Sequence, residues 1–176
     1  CAVRTALLLA GILGIICAAA GAVFSPWLLD IMSVPEEVRA GSLIYCRIYF
    51  GGIWAMILYN MMAGVLRAFG DSKKPLYVLV VCSVVNIVVD LILVGLMHTG
   101  VGGAAAATVL SQIVSVVLTA YFLVKSDFLE EKIGIRTMRI CKEHMGMMIN
   151  KGFPLALQSM LFPIANSIVQ ASINTM

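Results

Sequence analysis

Charge is what this chain has least of. Asp, Glu, Lys and Arg make up 12% of its 176 residues, about half the share found in an ordinary soluble domain. With hydrophobic residues at 61%, so few charges cannot cover a water-facing surface without leaving large apolar patches exposed. A soluble globular fold is excluded, and the surrounding solvent is read as lipid.

Metal-binding and catalytic signatures are missing too. There are two histidines, His98 and His144, and both fall outside the long apolar runs. The five cysteines (Cys1, Cys17, Cys46, Cys82 and Cys141) are scattered, with no Cys-x-x-Cys pair and no Cys/His cluster. A transition-metal site and a disulfide framework are therefore not expected; the cysteines read as small packing residues. No Gly-rich phosphate loop, Ser/His/Asp arrangement or His-Glu-x-x-His motif occurs, so neither an enzyme nor an ATP-driven domain is expected.

What is present is length in apolar runs. A bilayer core about 30 Å thick takes roughly 20 apolar residues in a helix. Charge-free runs cover Thr5–Phe24, Ile48–Leu66, Val101–Val124 and Phe153–Met176, while Leu76–Met97 contains one charge, Asp90. The expected fold is all-α, a polytopic transmembrane helical bundle. Its spans are placed at about 5–32, 36–69, 75–97 and 101–124, with a fifth over 152–176. The chain starts at Cys1 without a basic-then-apolar leader and stops within the fifth run, so it reads as a piece of a longer protein.

Lys and Arg set the orientation. Counting alternate connections, Arg4, Arg67, Lys73, Lys74, Lys125, Lys132, Arg136, Arg139, Lys142 and Lys151 share one side. Arg39 lies on the other, with Arg47 near that end of the second span and read as a snorkelling anchor. Loops 67–74 and 125–151 are thus expected in the cytoplasm. Ser33-Val-Pro-Glu36 reads as a capping box with the proline in the first turn, and Gly70 as a left-handed C-cap. The short connection His98–Gly103 makes the third and fourth spans an antiparallel hairpin. The small residues Gly102–Ala107 mark a crowded interface, expected against the third span. Residues 126–151 gather charges around Met138, Cys141, Met145 and Met148 at helical spacing, which suggests an amphipathic surface helix linking two bundles.

Polar groups within the membrane are expensive, so the few present need reasons. Asp90 lies roughly 22 Å along its helix from Pro75, at 1.5 Å per residue. Asn86 is its i, i+4 neighbour, and the hairpin brings Thr108 to a similar depth. Carboxylate, amide carbonyl and hydroxyl together offer a hard-oxygen site suited to Na⁺ or H⁺; interhelical hydrogen-bonding glue is the plainer alternative. Tyr45 belongs either to an interfacial belt or to the interior. Asn60 is a candidate cavity residue, and Pro163 a candidate kink in the fifth span.

Several stretches together resemble the multidrug and toxic compound extrusion family. These are Tyr45-Cys-Arg-Ile48, Leu66-Arg-Ala-Phe-Gly-Asp-Ser-Lys-Lys-Pro-Leu76, Asn86-x-x-x-Asp90, Gly102-Gly-Ala-Ala-Ala-Ala-Thr108 with Ser111-Gln112, and Gly152-Phe-Pro-Leu-Ala-Leu-Gln158. The resemblance runs through nearly the whole chain, in order. It implies a twelve-helix transporter of two six-helix lobes, with this chain running from the third helix to the seventh. Residues 1–125 would supply four helices of the N-terminal lobe, 126–151 the linker and 152–176 the first helix of the second lobe. Asp90, Asn86 and Thr108 then match the family's N-lobe cation site, and Tyr45 a supporting network. The acidic residue of the first helix lies outside the chain, and a further asparagine has no counterpart near Ala63, so Na⁺ and H⁺ both stay open.

The implied activity is antiport of amphipathic organic cations by alternating access at the plasma membrane. It needs a coupling ion and no cofactor. The partners are the bilayer and the remaining helices of the same polypeptide, with no nucleic acid. A lipid or lipid-linked oligosaccharide flippase of the wider superfamily would be expected to line its cavity with basic residues, and the spans offer only Arg47. A non-transporting membrane scaffold is a third reading.

Overall fold

The computed structural model describes residues 2–32, 34–126 and 142–174. They form α1 (Ala2–Ile31), α2 (Glu36–Ala68), α3 (Lys73–Asp90), a six-residue π-helical segment (Leu91–Leu96), α4 (Gly100–Val124) and α5 (Lys142–Asn174). Among the described residues, four helices are long and apolar enough to cross a membrane: Val3–Ile31, Glu36–Ala68, Lys73–Leu96 and Gly100–Val124. Large apolar side chains point outward along them, among them Val23, Trp27, Val84, Leu96 and Val124. In water this would be an aggregation-prone surface; in lipid it is the solvated one.

The helices approach closely where glycine removes a side chain, as lipid-embedded packing requires. A Cβ on Gly14 would lie 3.0 Å from the Trp54 Cα, and one on Gly21 would strike the Phe50 ring. Two glycines seven residues apart thus seat α1 on an aromatic pair of α2. Gly52 does the same for Val109 of α4.

The small run at the start of α4 is buried at Gly103, Ala105 and Ala107. It meets the expected partner and a second one: a Cβ on Gly103 would lie 3.3 Å from the Leu93 Cβ of the third span, and α2 packs on the same helix. α4 packs more extensively on α2 than on α3, and a Cβ on Gly102 would meet Ile44 of α2 at 3.3 Å. A glycine on each helix receives a branched side chain of the other, Gly102 facing Ile44 and Gly52 facing Val109, and that reciprocal fit brings α2 and α4 together. At one end Met62 and Leu66 of α2 close on Leu123 of α4.

The connections carry the polar chemistry. α2 ends in a Schellman motif: Gly70 at φ 84° donates its N–H to Arg67 O (3.0 Å), and Asp71 donates to Leu66 O (3.0 Å). At the opposite end, Arg39 bridges Asp30 of α1 and Glu36, the latter at 2.8 Å. The lone basic residue expected in that connection is therefore matched by carboxylates, while the Arg67–Lys74 end stays basic.

Three expectations change. Pro35 stands at the N-cap of α2 with no side-chain cap hydrogen bond, so proline closes the turn there and does not sit in the first helical turn; Ser33 lies outside the described residues. The third span is not uniform α-helix, because it widens into the π segment directly after Asp90. Finally, α5 starts at Lys142 and runs on through Pro154 and Pro163. The 151/152 boundary is therefore no break in the helix; Met138 and Cys141 lie outside the described residues.

Candidate functional site

Between α2, α3 and α4 lies a cavity of about 440 Å³. Tyr59 reaches it from α2, Cys82, Ser83 and Asn86 from α3, and Thr108, Ser111, Gln112 and Ser115 from α4. The α4 residues recur at i, i+3 or i+4, which places a polar stripe on one face of an otherwise apolar helix. Ser111 and Ser115 are buried, and Thr119 continues the stripe with no exposed surface.

The hydroxyls of this wall share one arrangement. Ser83 donates to Leu79 O at 2.9 Å, Thr108 to Ala104 O at 3.1 Å, Ser111 to Thr108 O at 2.8 Å, and Ser115 to Ser111 O at 3.0 Å. Each hydroxyl spends its one proton on its own helix, which keeps its oxygen lone pairs for the cavity. The wall is thus rich in acceptors and carries no cationic side chain.

Two further oxygens have no partner at all. Asp90 Oδ1 and Gln112 Oε1 are shielded from solvent and accept no hydrogen bond. A buried unsatisfied acceptor is unfavourable by about 1–3 kcal/mol, so such atoms mark places where something else completes the shell. Asp90 is the last residue of α3, one turn past Asn86, where the backbone widens. Such wide turns are frequent at functional sites. The connection that follows is tight: His98 (φ 51°) and Gly100 (φ 62°) are both left-handed, and Thr99 donates its N–H (3.1 Å) and hydroxyl (2.6 Å) to Leu93 O.

Of the sequence-predicted site residues, Asn86 and Thr108 share this cavity wall. Asp90 sits next to it rather than in it. Tyr45 stands apart, stacked on Tyr49 at 5.9 Å between ring centroids; Tyr49 in turn lines a narrow crevice with Thr108 and Gln112. No hydrogen bond among the described residues joins Asp90, Asn86, Thr108 and Tyr45. Asn60 is exposed and donates to Met56 O of its own helix at 2.8 Å, away from the cavity. Sequence reasoning missed Gln112 as a site residue, along with Tyr59, Ser83 and Ser115. The available signal was the i+4 step from Thr108 to Gln112.

Four bilayer-length helices, three of them lining a polar cavity, define a multi-pass α-helical membrane protein. Comparison with known proteins makes this specific. The MatE family model matches residues 1–92. The chain is 32% identical over 178 residues to the probable multidrug resistance protein YoeA of Bacillus subtilis (strain 168), an alignment covering 98% of this chain and 38% of YoeA. It is 31% identical to the probable multidrug resistance protein YpnP of the same organism, over 89% of this chain and 35% of YpnP. Among solved structures, it superposes on a MOP superfamily transporter from Pyrococcus furiosus with a TM-score of 0.82 and 28% identity, covering 93% of this chain and 36% of that one. The chain belongs to the MatE family of multidrug and toxic compound extrusion transporters, and it spans about 38% of the length of the first of these relatives.

Proposed function

We propose that the protein containing this chain is a secondary active exporter that moves amphipathic organic cations outward in exchange for Na⁺ or H⁺. In this reading the 67–74 and 125–151 connections face the cytoplasm. Residues 1–125 supply four helices of one lobe, and the helix from Lys142 leads into the second lobe.

The observation that carries the proposal is a cavity wall lined with hydroxyl and carboxamide oxygens and with no charged side chain. Hydroxyl oxygens of Ser83, Thr108, Ser111 and Ser115 keep lone pairs for the cavity, with Asn86 and the unpartnered Gln112 oxygen on the same wall and the unpartnered oxygen of Asp90 one turn beyond Asn86. Oxygen donors around a carboxylate suit a small hard cation. On this reading Asp90, Asn86 and Thr108 bind the coupling ion, Gln112 adds a carbonyl, and Tyr45 supports the site through Tyr49. Cation binding favours one packing of the lobe and cargo binding the other, so the lobes rock between two access states. Transport of anionic lipid headgroups is disfavoured, because the cavity offers a phosphate no cation.

The test is ethidium efflux from cells making the full-length protein, wild type against Asp90→Asn, at matched membrane abundance. Loss of efflux in the variant supports coupling through Asp90. Undiminished efflux would reduce Asp90 to a packing residue.

A further inference from the structure

At the basic end of the bundle, between the first turn of α3 and the last turn of α4, lies a second cavity of about 360 Å³. It is lined by Lys74, Tyr121, Phe122 and Lys125. The Lys125 ammonium sits 3.3 Å from the Tyr121 hydroxyl and 5.6 Å from the centre of its ring, a cation–π position. Phe122 packs edge-on against Tyr121 (5.7 Å) and Tyr77 (6.1 Å). The cleft is thus lined by two lysines and by an aromatic tier.

Among the described residues its charge is not balanced. Arg67, Lys73, Lys74 and Lys125 gather at this end, and Asp71 alone opposes them in the 67–74 turn, paired with Lys74 at 2.8 Å. Lys125 has no carboxylate partner among the described residues. Just beyond the aromatic tier the surface is apolar and outward-facing: Leu76 is 62% exposed and Val124 is 71% exposed. A ligand that satisfies both parts carries an anionic phosphate and an acyl tail. Basic pockets between spanning helices at a membrane interface bind lipid headgroups by this chemistry, and tyrosine is at home at that depth.

We propose that this cleft is a binding site for an anionic glycerophospholipid, with the phosphate held by Lys125 and Lys74 and the acyl chains lying along Leu76 and Val124. The site is separate from the Asn86/Thr108 cavity and stands whether or not that cavity binds a coupling ion.

The test uses the full-length protein in uncharged detergent, with thermal unfolding followed as phosphatidylglycerol is titrated in. Phosphatidylcholine and inorganic phosphate serve as separate arms. Phosphatidylglycerol is expected to raise the midpoint in a saturable way, and the other two are not. Lys125→Gln should weaken the apparent affinity about fivefold, which is one ammonium's share of such an interaction, while Lys125→Arg retains it. In wild type, molar salt should weaken binding of phosphatidylglycerol, an arm that does not depend on any variant folding. Wild-type affinity in Lys125→Gln, or salt-independent binding, would overturn the proposal. A shift from inorganic phosphate equal to that from the lipid would overturn the lipid assignment, since the acyl chains would then contribute nothing.

Discussion

Asp71 holds Lys74 twice: its Oδ1 accepts the Lys74 backbone N–H at 3.1 Å, and its Oδ2 lies 2.8 Å from the Lys74 ammonium. One carboxylate thereby serves a free N–H at the start of α3 and one of the charges that follow it. It does this from the residue that completes the Schellman motif of α2, so the exit from one span and the entry to the next share a hinge of two residues, Gly70 and Asp71.

This relationship has a pH dependence. The hydrogen bond and ion pair with Lys74 hold the Asp71 carboxyl below its ordinary value. Its folded-state pKa is depressed, so its stabilising effect is complete above the ordinary carboxylate range and disappears as pH falls through the lowered value. Asp71→Asn should therefore lower the thermal midpoint at neutral pH and flatten the acid limb of midpoint against pH. Thermal unfolding followed by circular dichroism across an acidic pH series measures both effects.

Gly70 is needed for backbone reasons alone. At φ 84° it lies where an L side chain is strained, and nothing stands within 4 Å of the point a Cβ would occupy. Gly70→Ala is expected to destabilise by about 1–2 kcal/mol, and Gly70→Asn by less, because asparagine tolerates the left-handed region. Comparing the denaturation of both variants separates backbone strain from steric clash.

Gly52 is needed for the opposite reason. A Cβ there would come within 3.0 Å of the Val109 Cβ and closer still to its methyls. Gly52→Val should push α2 and α4 apart and destabilise by about 1–3 kcal/mol or more. Adding Val109→Ala to the same protein should recover much of that loss. The readout is the fraction surviving heat in detergent.

Within the proposed cation site, Gln112→Leu should weaken apparent coupling-ion affinity about fivefold, the scale of one buried hydrogen-bonding partner, with maximal rate less affected. Thr108→Val should act in the same direction and Thr108→Ser should not, since serine keeps the oxygen and can still bond to Ala104. Ion-dependent efflux by the full-length protein, fitted for half-saturation and maximum, distinguishes them.

The legible parts of the fold were those set by composition and by single residues with one physical use. Charge-free length announced the first four spans, Gly70 announced its turn, and His98–Gly103 announced the hairpin. The second partner of the Gly102–Ala107 run, α2, was not legible, because small residues declare a close approach without naming every helix that makes it. The departure from α geometry after Asp90 was equally hidden. Leu91–Leu96 reads Leu-Ile-Leu-Val-Gly-Leu, and apolar residues on every side give no period from which a wider turn could be read. At the site, a carboxylate in an apolar run drew attention to Asp90, while Gln112, uncharged in a helix with other small polar residues, was quoted only as part of the family resemblance.

The wide turn at Leu91–Leu96 has a consequence for comparing family members position by position. An α-helix advances about 100° per residue, and a π-helical segment accommodates an additional residue without lengthening the span in proportion. Where a relative has regular α-helix instead, one residue fewer fills the same stretch, and a one-position gap in the alignment restores the facing of the residues beyond it. Aligned without that gap, letters beyond Asp90 are compared about 100° out of phase. Matching letters would then stand for side chains with different neighbours, and different letters for side chains with the same one.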